Sequence, residues 1–369
     1  MYLQYIHIQN YKNIADTNIE FGRQFNYLIG RNGMGKTNMM DAVYFLAMGK
    51  SYGQLQDKSL IRHEEDYLRL EAIMKNEVNE MTLVAKLGKN HPKSFEKDGT
   101  QYQHISDHIG QIPIVFITPA DGYNLFSASM ERRRFIDRTI GQVNGAYLRE
   151  LIQYNKLLKH RNASLKTGVM DNIHSLLDTY DEQMGPLAHS IVAQRNQMIE
   201  QLQPSVAHFY ERISEGKEKV SIHYESELLS TDFISLSKKN RQRDIILRRT
   251  HGGTHKDDLK VVIDGQNLKK FASQGQLKSF ILGLKLAQFM YLSQKLEKMP
   301  ILLIDDVFAK LDEHRVQALL GLLDTKDFGQ IFITDTSIKR MQDMRKHVRG
   351  SFNCYELIDG AINQLDDEQ

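Results

Sequence analysis

The residues best suited to chemistry are the eight consecutive positions 30–37, which fit the phosphate-binding pattern G-x-x-x-x-G-K-[ST]. Glycines in such a loop let backbone N–H groups turn toward an anion. The Lys36 ammonium can reach the β and γ phosphates of a nucleotide, and the Thr37 hydroxyl can bind Mg²⁺. The pattern therefore predicts an ATP site formed by Gly30, Arg31, Asn32, Gly33, Met34, Gly35, Lys36, Thr37 and Asn38.

The elements on either side of this loop are those that the motif requires. Residues 25–29 form a short apolar run that predicts a buried strand, and residues 38–47 have the apolar face of a helix. Strand, glycine-rich turn and helix together make a chance match improbable.

A second candidate for chemistry is the pair Asp305 and Asp306, which ends the apolar run 301–304. Beside a phosphate-binding loop, Asp305 is the expected partner of Mg²⁺ together with Thr37. Asp306 then stands where a general base belongs, so Lys36 and Asp306 are the predicted catalytic residues. The alternative is that the two acids only end a strand or cap the next helix.

A third motif, Ser273-Gln274-Gly275-Gln276, opens a helix that is predicted to run to about residue 296. Serine is a good N-cap, and glycine lets a ligand approach the backbone. The helix start is thus a candidate anion site separate from the phosphate-binding loop. By itself this signal is weak, since many helices begin at serine.

The remaining pattern indicates an α/β protein. Residues 67–74 and 81–87 alternate in polarity as antiparallel strands do, whereas the apolar runs near 114, 301 and 331 alternate with helices, as in a largely parallel sheet. Residues 129–202 have helical spacing, which fits a compact bundle better than an extended arm. We expect an ATPase head made of residues 1–120 and 253–369, with a mixed core sheet and an antiparallel β part, interrupted by a helical insertion at 121–252.

Composition sets the class of protein. The 369 residues are 41% hydrophobic and 25% charged, as in soluble globular proteins, and their net charge of +2 requires any basic surface to be local. The single cysteine, Cys354, allows no internal disulfide. No apolar run is long enough to span a membrane, and the first residues lack a signal-peptide layout. We expect a cytoplasmic protein without a membrane partner.

Together these motifs resemble the ABC-type ATPases of chromosome maintenance, and more narrowly the RecF family of bacterial replication and repair proteins. The order of phosphate-binding loop, Ser-x-Gly-Gln helix, paired acids and the D-loop residues Leu311 and Asp312 carries the first resemblance. The second rests on stretches that span nearly the whole chain: 8–13, 131–137, 253–259 and 303–315.

The resemblance implies a protein that dimerises around ATP and Mg²⁺ on gapped or junction DNA. The Ser-x-Gly-Gln residues of one subunit would complete the ATP site of the other, and slow hydrolysis would act as a switch. It also implies RecO- and RecR-like partners and assistance to recombinase loading on single-stranded DNA.

The chain departs from the family pattern at three places. Thr254 and Lys256 replace the usual proline and arginine, Gly53 replaces an arginine, and Thr334 to Thr336 carries no histidine after the paired acids. Lys256 cannot make the bidentate contact that an arginine makes. Gly53 puts in doubt an arginine contact to nucleotide or DNA. The lack of a histidine after the paired acids puts in doubt the sensing of the γ phosphate by such a residue.

Clusters of basic residues are the candidates for DNA contact, because phosphate binding needs only local positive charge. A solvated helix face explains each cluster equally well. The candidates are Arg132, Arg133, Arg134, Lys238, Lys239, Arg241 and Arg243.

Other classes of protein remain as alternatives. Another SMC-type head would carry a long coiled coil where this chain has about 130 residues, and a transporter ATPase subunit would keep its signature helix closer to the phosphate-binding loop. A small-molecule kinase gives no reason for Ser273 to Gln276.

Overall fold

The computed structural model describes residues 1–167, 172–216, 218–268 and 273–365. Its centre is a six-stranded sheet with the order β15-β14-β3-β13-β12-β8. Strands β3, β8, β12, β13 and β14 run parallel, and β15 is antiparallel to β14. The strands are β3 (Phe25–Ile29), β8 (Ile114–Ile117), β12 (Ile301–Asp305), β13 (Ile331–Asp335), β14 (Phe352–Ile358) and β15 (Ala361–Leu365).

The central strands are continuous apolar runs because they are covered on both faces. All five residues of β3 and of β12 are buried. The carboxyl ends of parallel neighbours meet at one sheet edge, so the residues that follow β3, β12 and β13 come together there.

A second six-stranded sheet is antiparallel, with the order β2-β1-β4-β5-β6-β7. Its long strands alternate buried and more exposed residues, as expected when one face packs on the core. This confirms the predicted antiparallel part. The strands are β1 (Tyr2–Tyr11), β2 (Ile14–Glu20), β4 (Tyr67–Lys75), β5 (Glu80–Gly88), β6 (Ser94–Lys97) and β7 (Thr100–Gln101).

The helices divide between these sheets and a helical part. Helix α1 (Lys36–Met48) is almost entirely buried under the central sheet. The others are α2 (Ile105–His108), α3 (Ala120–Ser127), α4 (Ser129–Val143), α5 (Gly145–Thr167), α6 (Ile173–Ser214), α7 (Phe233–Leu247), α8 (Gln274–Leu296), α9 (Glu313–Leu323) and α10 (Ile338–His347), with short 3₁₀ turns at Asp57–Leu60, Glu227–Leu229, Thr254–Lys256 and Phe308–Lys310.

The helical part is compact rather than an extended arm, as the sequence favoured. Helix α6 has 42 residues and packs along α5, α7 and α8, and its buried residues join one hydrophobic core with the central sheet. A three-stranded sheet of β9 (Val220–Glu225), β10 (Asp258–Ile263) and β11 (Gln266–Asn267) joins strands from either side of residue 252, the predicted end of the insertion. The sequence analysis missed β9, β14 and β15.

Among the helices of the described ranges, none combines the length and the apolar character needed to cross a bilayer.

Candidate functional site

The phosphate-binding loop follows β3 directly and ends in the first residue of α1. Gly33 and Gly35 have φ angles of 87° and 107°, in the left-handed region that favours glycine. At Gly30 the constraint is space, because an added Cβ would lie 2.6 Å from the carbonyl oxygen of Leu357 on β14. The predicted strand, turn and helix are therefore confirmed, and β14 supports the turn.

Lys36 is buried at the floor of this loop. Its ammonium donates to the carbonyl oxygens of Gly30, at 2.6 Å, and Arg31, at 2.9 Å. Burial lowers the pKa of Lys36, and the nearby carboxylates of Asp306 and Asp305 oppose that shift. An amine held this way is positioned inside the ring of loop amides where phosphates are bound in such motifs.

The loop and the paired acids meet through Thr37. Its hydroxyl donates to both carboxylate oxygens of Asp305, at 2.8 and 3.1 Å, although the two residues lie 268 positions apart. The parallel register sets Asp305 opposite Thr334, whose hydroxyl donates to the same carboxylate at 2.7 Å. Burial raises the pKa of Asp305, and these hydroxyl contacts and Lys36 oppose the shift.

Asp306 turns out of the strand. Its φ angle of 47° places it in the left-handed region, and its N–H donates to the Thr334 hydroxyl at 2.9 Å. One carboxylate oxygen, Oδ1, is buried and has no hydrogen-bond partner in the described part of the chain. A buried acceptor without a partner is costly, so this oxygen is suited to a ligand or water.

These features fit MgATP. The loop has free space at Gly33, Asp306 has an unused acceptor, and hydroxyl and carboxylate oxygens are the ligands that Mg²⁺ prefers. Thr37 and Asp305 would hold the ion, which would neutralise phosphate charge. Among the described residues no group of three or more His, Cys, Asp and Glu side chains forms a separate metal site.

Two supports of the loop were missed by the sequence analysis. Asn13, in the β1–β2 turn, accepts from Asn38 at 2.7 Å and donates to the Gly33 carbonyl at 3.5 Å. In the β14–β15 turn, the N–H of Gly360 donates to the Met34 carbonyl at 3.1 Å. Asn13 was visible as part of the stretch 8–13, whereas the contact of Gly360 depends on tertiary packing.

The Ser-x-Gly-Gln helix begins with a complete capping box. Ser273 Oγ accepts from the Gln276 N–H at 3.2 Å, and Gln276 Oε1 accepts from the Ser273 N–H at 2.7 Å. Ser273 and Gln274 are exposed, and the Gln276 amide donates to Glu218 at 2.6 Å. The motif therefore presents a preformed and accessible helix start.

The D-loop residues lie beside this helix start. Asp312 is the N-cap of α9 and accepts from the Arg315 N–H at 3.0 Å. The Arg315 side chain pairs with Asp312, donates to Ser279 Oγ at 3.0 Å and lies 3.2 Å from a Cβ placed on Gly275. Leu311 packs on the core. Arg315, which the sequence analysis did not single out, thus joins the two motifs into one surface.

The first basic cluster is mostly occupied by internal contacts. Arg132 is buried, and its guanidinium donates twice to Asp258, at 2.6 and 2.8 Å. Arg133 donates to the Asp257 carbonyl at 2.6 Å, and Arg134 pairs with Glu131. Both arms of the Arg132 guanidinium are thus engaged inside the fold, and its DNA contact stays a prediction.

The second basic cluster also contains both internally paired and exposed residues. Arg241 pairs with Asp178 at 2.6 Å and Asp181 at 2.7 Å, and only 12% of its side chain is exposed. The Arg241 guanidinium is thus also engaged inside the fold, and its DNA contact stays a prediction. Lys238, Lys239 and Arg243 are exposed on the same helix, α7, and remain candidates.

A second pair of aspartates, Asp257 and Asp258, lies within the stretch 253–259 and forms an ion network. Arg195 donates to Asp257 at 3.0 Å and to both oxygens of Asp137, at 2.9 and 3.0 Å. Tyr224 also donates to Asp257. The network ties α4 and α6 to the three-stranded sheet.

Comparison with known proteins gives one consistent result. The model of the RecF/RecN/SMC N terminal domain matches residues 2–354. The protein named DNA replication and repair protein RecF of Flavobacterium johnsoniae is 38% identical over 97% of this chain and 100% of its own length. The protein of the same name from Bacteroides thetaiotaomicron is 37% identical, with full coverage of both chains.

Solved structures give the same grouping. A structure described as the recombination mediator protein RecF-ATP in the RecFOR pathway is 28% identical and superposes with a TM-score of 0.89, covering 99% of this chain and 98% of that one. An Smc head domain from Pyrococcus furiosus, 15% identical, has a TM-score of 0.56 and covers 99% and 96% of the two chains, which shows a shared fold.

Proposed function

This chain belongs to the RecF family, and we propose that it is a DNA repair and recombination ATPase in which MgATP binding drives dimerisation on gapped or junction DNA. The observation that carries the proposal is the contact of Thr37 with Asp305, which joins the phosphate-binding loop to the paired acids. A small-molecule kinase gives no reason for the Ser-x-Gly-Gln helix, and the compact helical part stands where another SMC-type head would carry a long coiled coil.

The phosphate-binding loop, Lys36 and Asn38 hold the nucleotide, and Thr37 and Asp305 hold Mg²⁺. Asp306 acts as the base or positions the water, using the carboxylate oxygen that has no partner in the described residues. Because its side chain is one methylene shorter than glutamate, it positions water less well, and hydrolysis is slow.

The helix start at Ser273 completes the site of a second subunit. Support comes from its exposure, its capping box and its contact with Arg315 beside the D-loop. Ser273 and the Gly275 backbone contact the γ phosphate across the interface, with Gln274 and Gln276 beside them. Hydrolysis removes that contact and lets the dimer open, which makes ATP a switch.

DNA is bound through charge rather than through base recognition. Lys238, Lys239 and Arg243 on α7 supply phosphate contacts. The bound dimer recruits RecO- and RecR-like proteins and assists recombinase loading on single-stranded DNA. Since its partner is DNA, we expect the protein to act in the cytoplasm.

Analytical ultracentrifugation with MgATP and a gapped duplex tests the proposal. We expect the mass of the wild type to double with ATP, and Lys36→Ala to remain monomeric. Ser273→Arg should bind ATP but not dimerise, because its long side chain blocks the approach to the other subunit. Ser175→Arg, an equivalent change in the first turn of α6, is the matched control and should dimerise.

Two outcomes would contradict the proposal. A wild type that binds ATP and remains monomeric with and without DNA would exclude the switch. Loss of ATP binding itself in Ser273→Arg would show that this serine serves its own subunit.

A further inference from the structure

A cavity of about 590 Å³ adjoins the Mg²⁺ end of the predicted ATP site. Thr37 and Asp305 form part of its wall. Elsewhere the wall includes Gly53, Gln54 and Leu55, which are exposed, so the cavity opens to solvent away from the phosphate-binding loop. The space is several times the roughly 30 Å³ that one water occupies in the liquid.

Most charged groups of the wall already have partners. The Lys285 ammonium donates to the Tyr52 hydroxyl at 2.9 Å and the Phe116 carbonyl at 2.8 Å, and lies 3.7 Å from Asp121. Asp121 also accepts from Tyr52 and from the Thr118 N–H. The positive charge of Lys285 and the negative charge of Asp121 therefore compensate each other.

The other acidic residues of the wall are matched in the same way. Asp41 accepts from Lys12 at 2.6 Å and from Ser51 at 2.7 Å, and Glu131 pairs with Arg134. Asp305 is the acid that faces the predicted metal.

Arg138 differs from the other cations of the wall. Its guanidinium lies over the rings of Tyr52 and Tyr44, and one arm donates to the Tyr52 carbonyl at 3.3 Å. Within the described ranges of the chain it forms no ion pair with a carboxylate. A guanidinium has five N–H donors, so Arg138 brings spare donors to the cavity.

We propose that this cavity binds inorganic phosphate and is the path by which phosphate leaves after ATP is cleaved. The inference rests on the proposed function, since ATP cleavage supplies the phosphate. Thr37 and Asp305 would hold the Mg²⁺ ion beside the γ phosphate of ATP, and Arg138 would offer a phosphate dianion the paired donors that guanidinium groups give it.

The position of the cavity has a consequence for the order of events. A partner subunit that covers the Ser273 side of the nucleotide blocks exit in that direction. Residues of this chain line the opening near Gly53, so the proposed path lets phosphate leave before the two subunits separate.

The first test is equilibrium dialysis of radiolabelled phosphate against the ADP-loaded protein. We expect Arg138→Gln to weaken phosphate binding at least about tenfold, the usual effect of losing a charged hydrogen-bond donor. Arg138→Lys, which keeps the charge, should retain most of the binding. Arg149→Gln, a change at an arginine whose side chain is 58% exposed, should bind as the wild type does.

A second variant avoids the core. An added Cβ on Gly53 meets no atom within 4 Å, so Gly53→Glu can be made without steric conflict. The new carboxylate at the opening should repel phosphate and weaken its binding, while Gly53→Gln should not. Equal phosphate binding by the wild type, Arg138→Gln and Gly53→Glu would overturn the proposal.

Single-turnover kinetics test the path. Cleavage is followed by acid quench, phosphate release by a fluorescent phosphate sensor, and dimer opening by energy transfer. We expect release to precede opening, and Gly53→Glu to slow release several-fold with cleavage unchanged. Release that coincides with opening in every variant would exclude the path. Absence of cleavage in the wild type would instead refute the ATPase, and the dialysis result would still decide the binding site.

Discussion

The chain contains two Asp-Asp pairs in very different surroundings. Asp305 accepts from the hydroxyls of Thr37 and Thr334, and one carboxylate oxygen of Asp306 has no partner in the described part of the chain. Asp257 and Asp258 accept instead from the guanidinium groups of Arg195 and Arg132. Burial raises the pKa of Asp305 and of Asp257, but only the second has an arginine that opposes the shift.

The difference between the two pairs shows which carboxylates are available for chemistry. A carboxylate bonded directly to a guanidinium holds elements together, whereas a carboxylate whose hydrogen-bond donors are hydroxyls can still bind a cation. The two pairs should therefore differ in their response to mutation and to Mg²⁺.

Arg195→Met should have the largest effect on stability. It leaves the buried carboxylate of Asp257 and the partly buried carboxylate of Asp137 without their guanidinium, which costs about 3–5 kcal/mol of unfolding free energy. Urea denaturation measures this loss. Arg149→Met, at an exposed arginine, should change the value by less than about 0.5 kcal/mol. Equal losses in the two variants would show that the ion network is not stabilising.

Changing the second aspartate of each pair to alanine should separate the two roles. Asp306→Ala should lower the rate of ATP hydrolysis about 100-fold or more, because it removes the base, while the protein stays folded and binds ATP. Asp258→Ala should instead lower stability, since Arg132 stays buried. The measurements are single-turnover hydrolysis and thermal unfolding. If both variants lose only stability, the distinction between the pairs fails.

Acidification from pH 7 to 5 should also divide the two regions. Burial lowers the pKa of His255 to about 4, so the folded state releases this proton and loses stability as pH falls below the ordinary value of about 6.5. Asp305 acts in the opposite direction: its raised pKa makes the folded state hold a proton, so its contribution to stability falls as pH rises above about 3.9.

The check is the stability of His255→Gln and Asp305→Asn against pH, without Mg²⁺. Relative to His255→Gln, the wild type should lose on the order of 1–2 kcal/mol on acidification. Relative to Asp305→Asn, the wild type should gain stability as the pH is lowered toward the ordinary carboxyl value of about 3.9. The same slope for both variants would contradict this assignment.

Thr334→Val should have the smallest effect. It removes the hydroxyl that donates to Asp305 and accepts from the Asp306 N–H, at a cost of about 1–2 kcal/mol. We expect Mg²⁺-dependent ATP binding to weaken several-fold, as measured by titration calorimetry. Thr139→Val, which removes a buried hydroxyl on α4, should destabilise the protein without weakening the metal dependence.

The sequence predicted the fold and the nucleotide side of the site because those features depend on local backbone chemistry. Gly33 and Gly35 are needed for the turn, the run before Asp305 must be a buried strand, and Ser273 with Gln276 forms its own cap. Each signal lies within a few residues.

Features that depend on distant partners were not predictable in this way. The basic runs at 132–134 and 241 suggested a surface, yet Arg132 and Arg241 are neutralised by Asp258 and Asp181, which lie far along the chain. Likewise, no local pattern placed Arg138 on the wall of a cavity beside Asp305. The domain limits at 120 and 252 and the roles in ATP and DNA binding stay predictions.

Titration calorimetry of ATP with and without Mg²⁺, on the wild type, Asp305→Asn and Asp257→Asn, tests the central claim most directly. We predict that Mg²⁺ strengthens ATP binding by the wild type and by folded Asp257→Asn, whereas Asp305→Asn binds ATP equally with and without the ion. Retention of the Mg²⁺ effect in Asp305→Asn would contradict the claim that Asp305 belongs to the metal site.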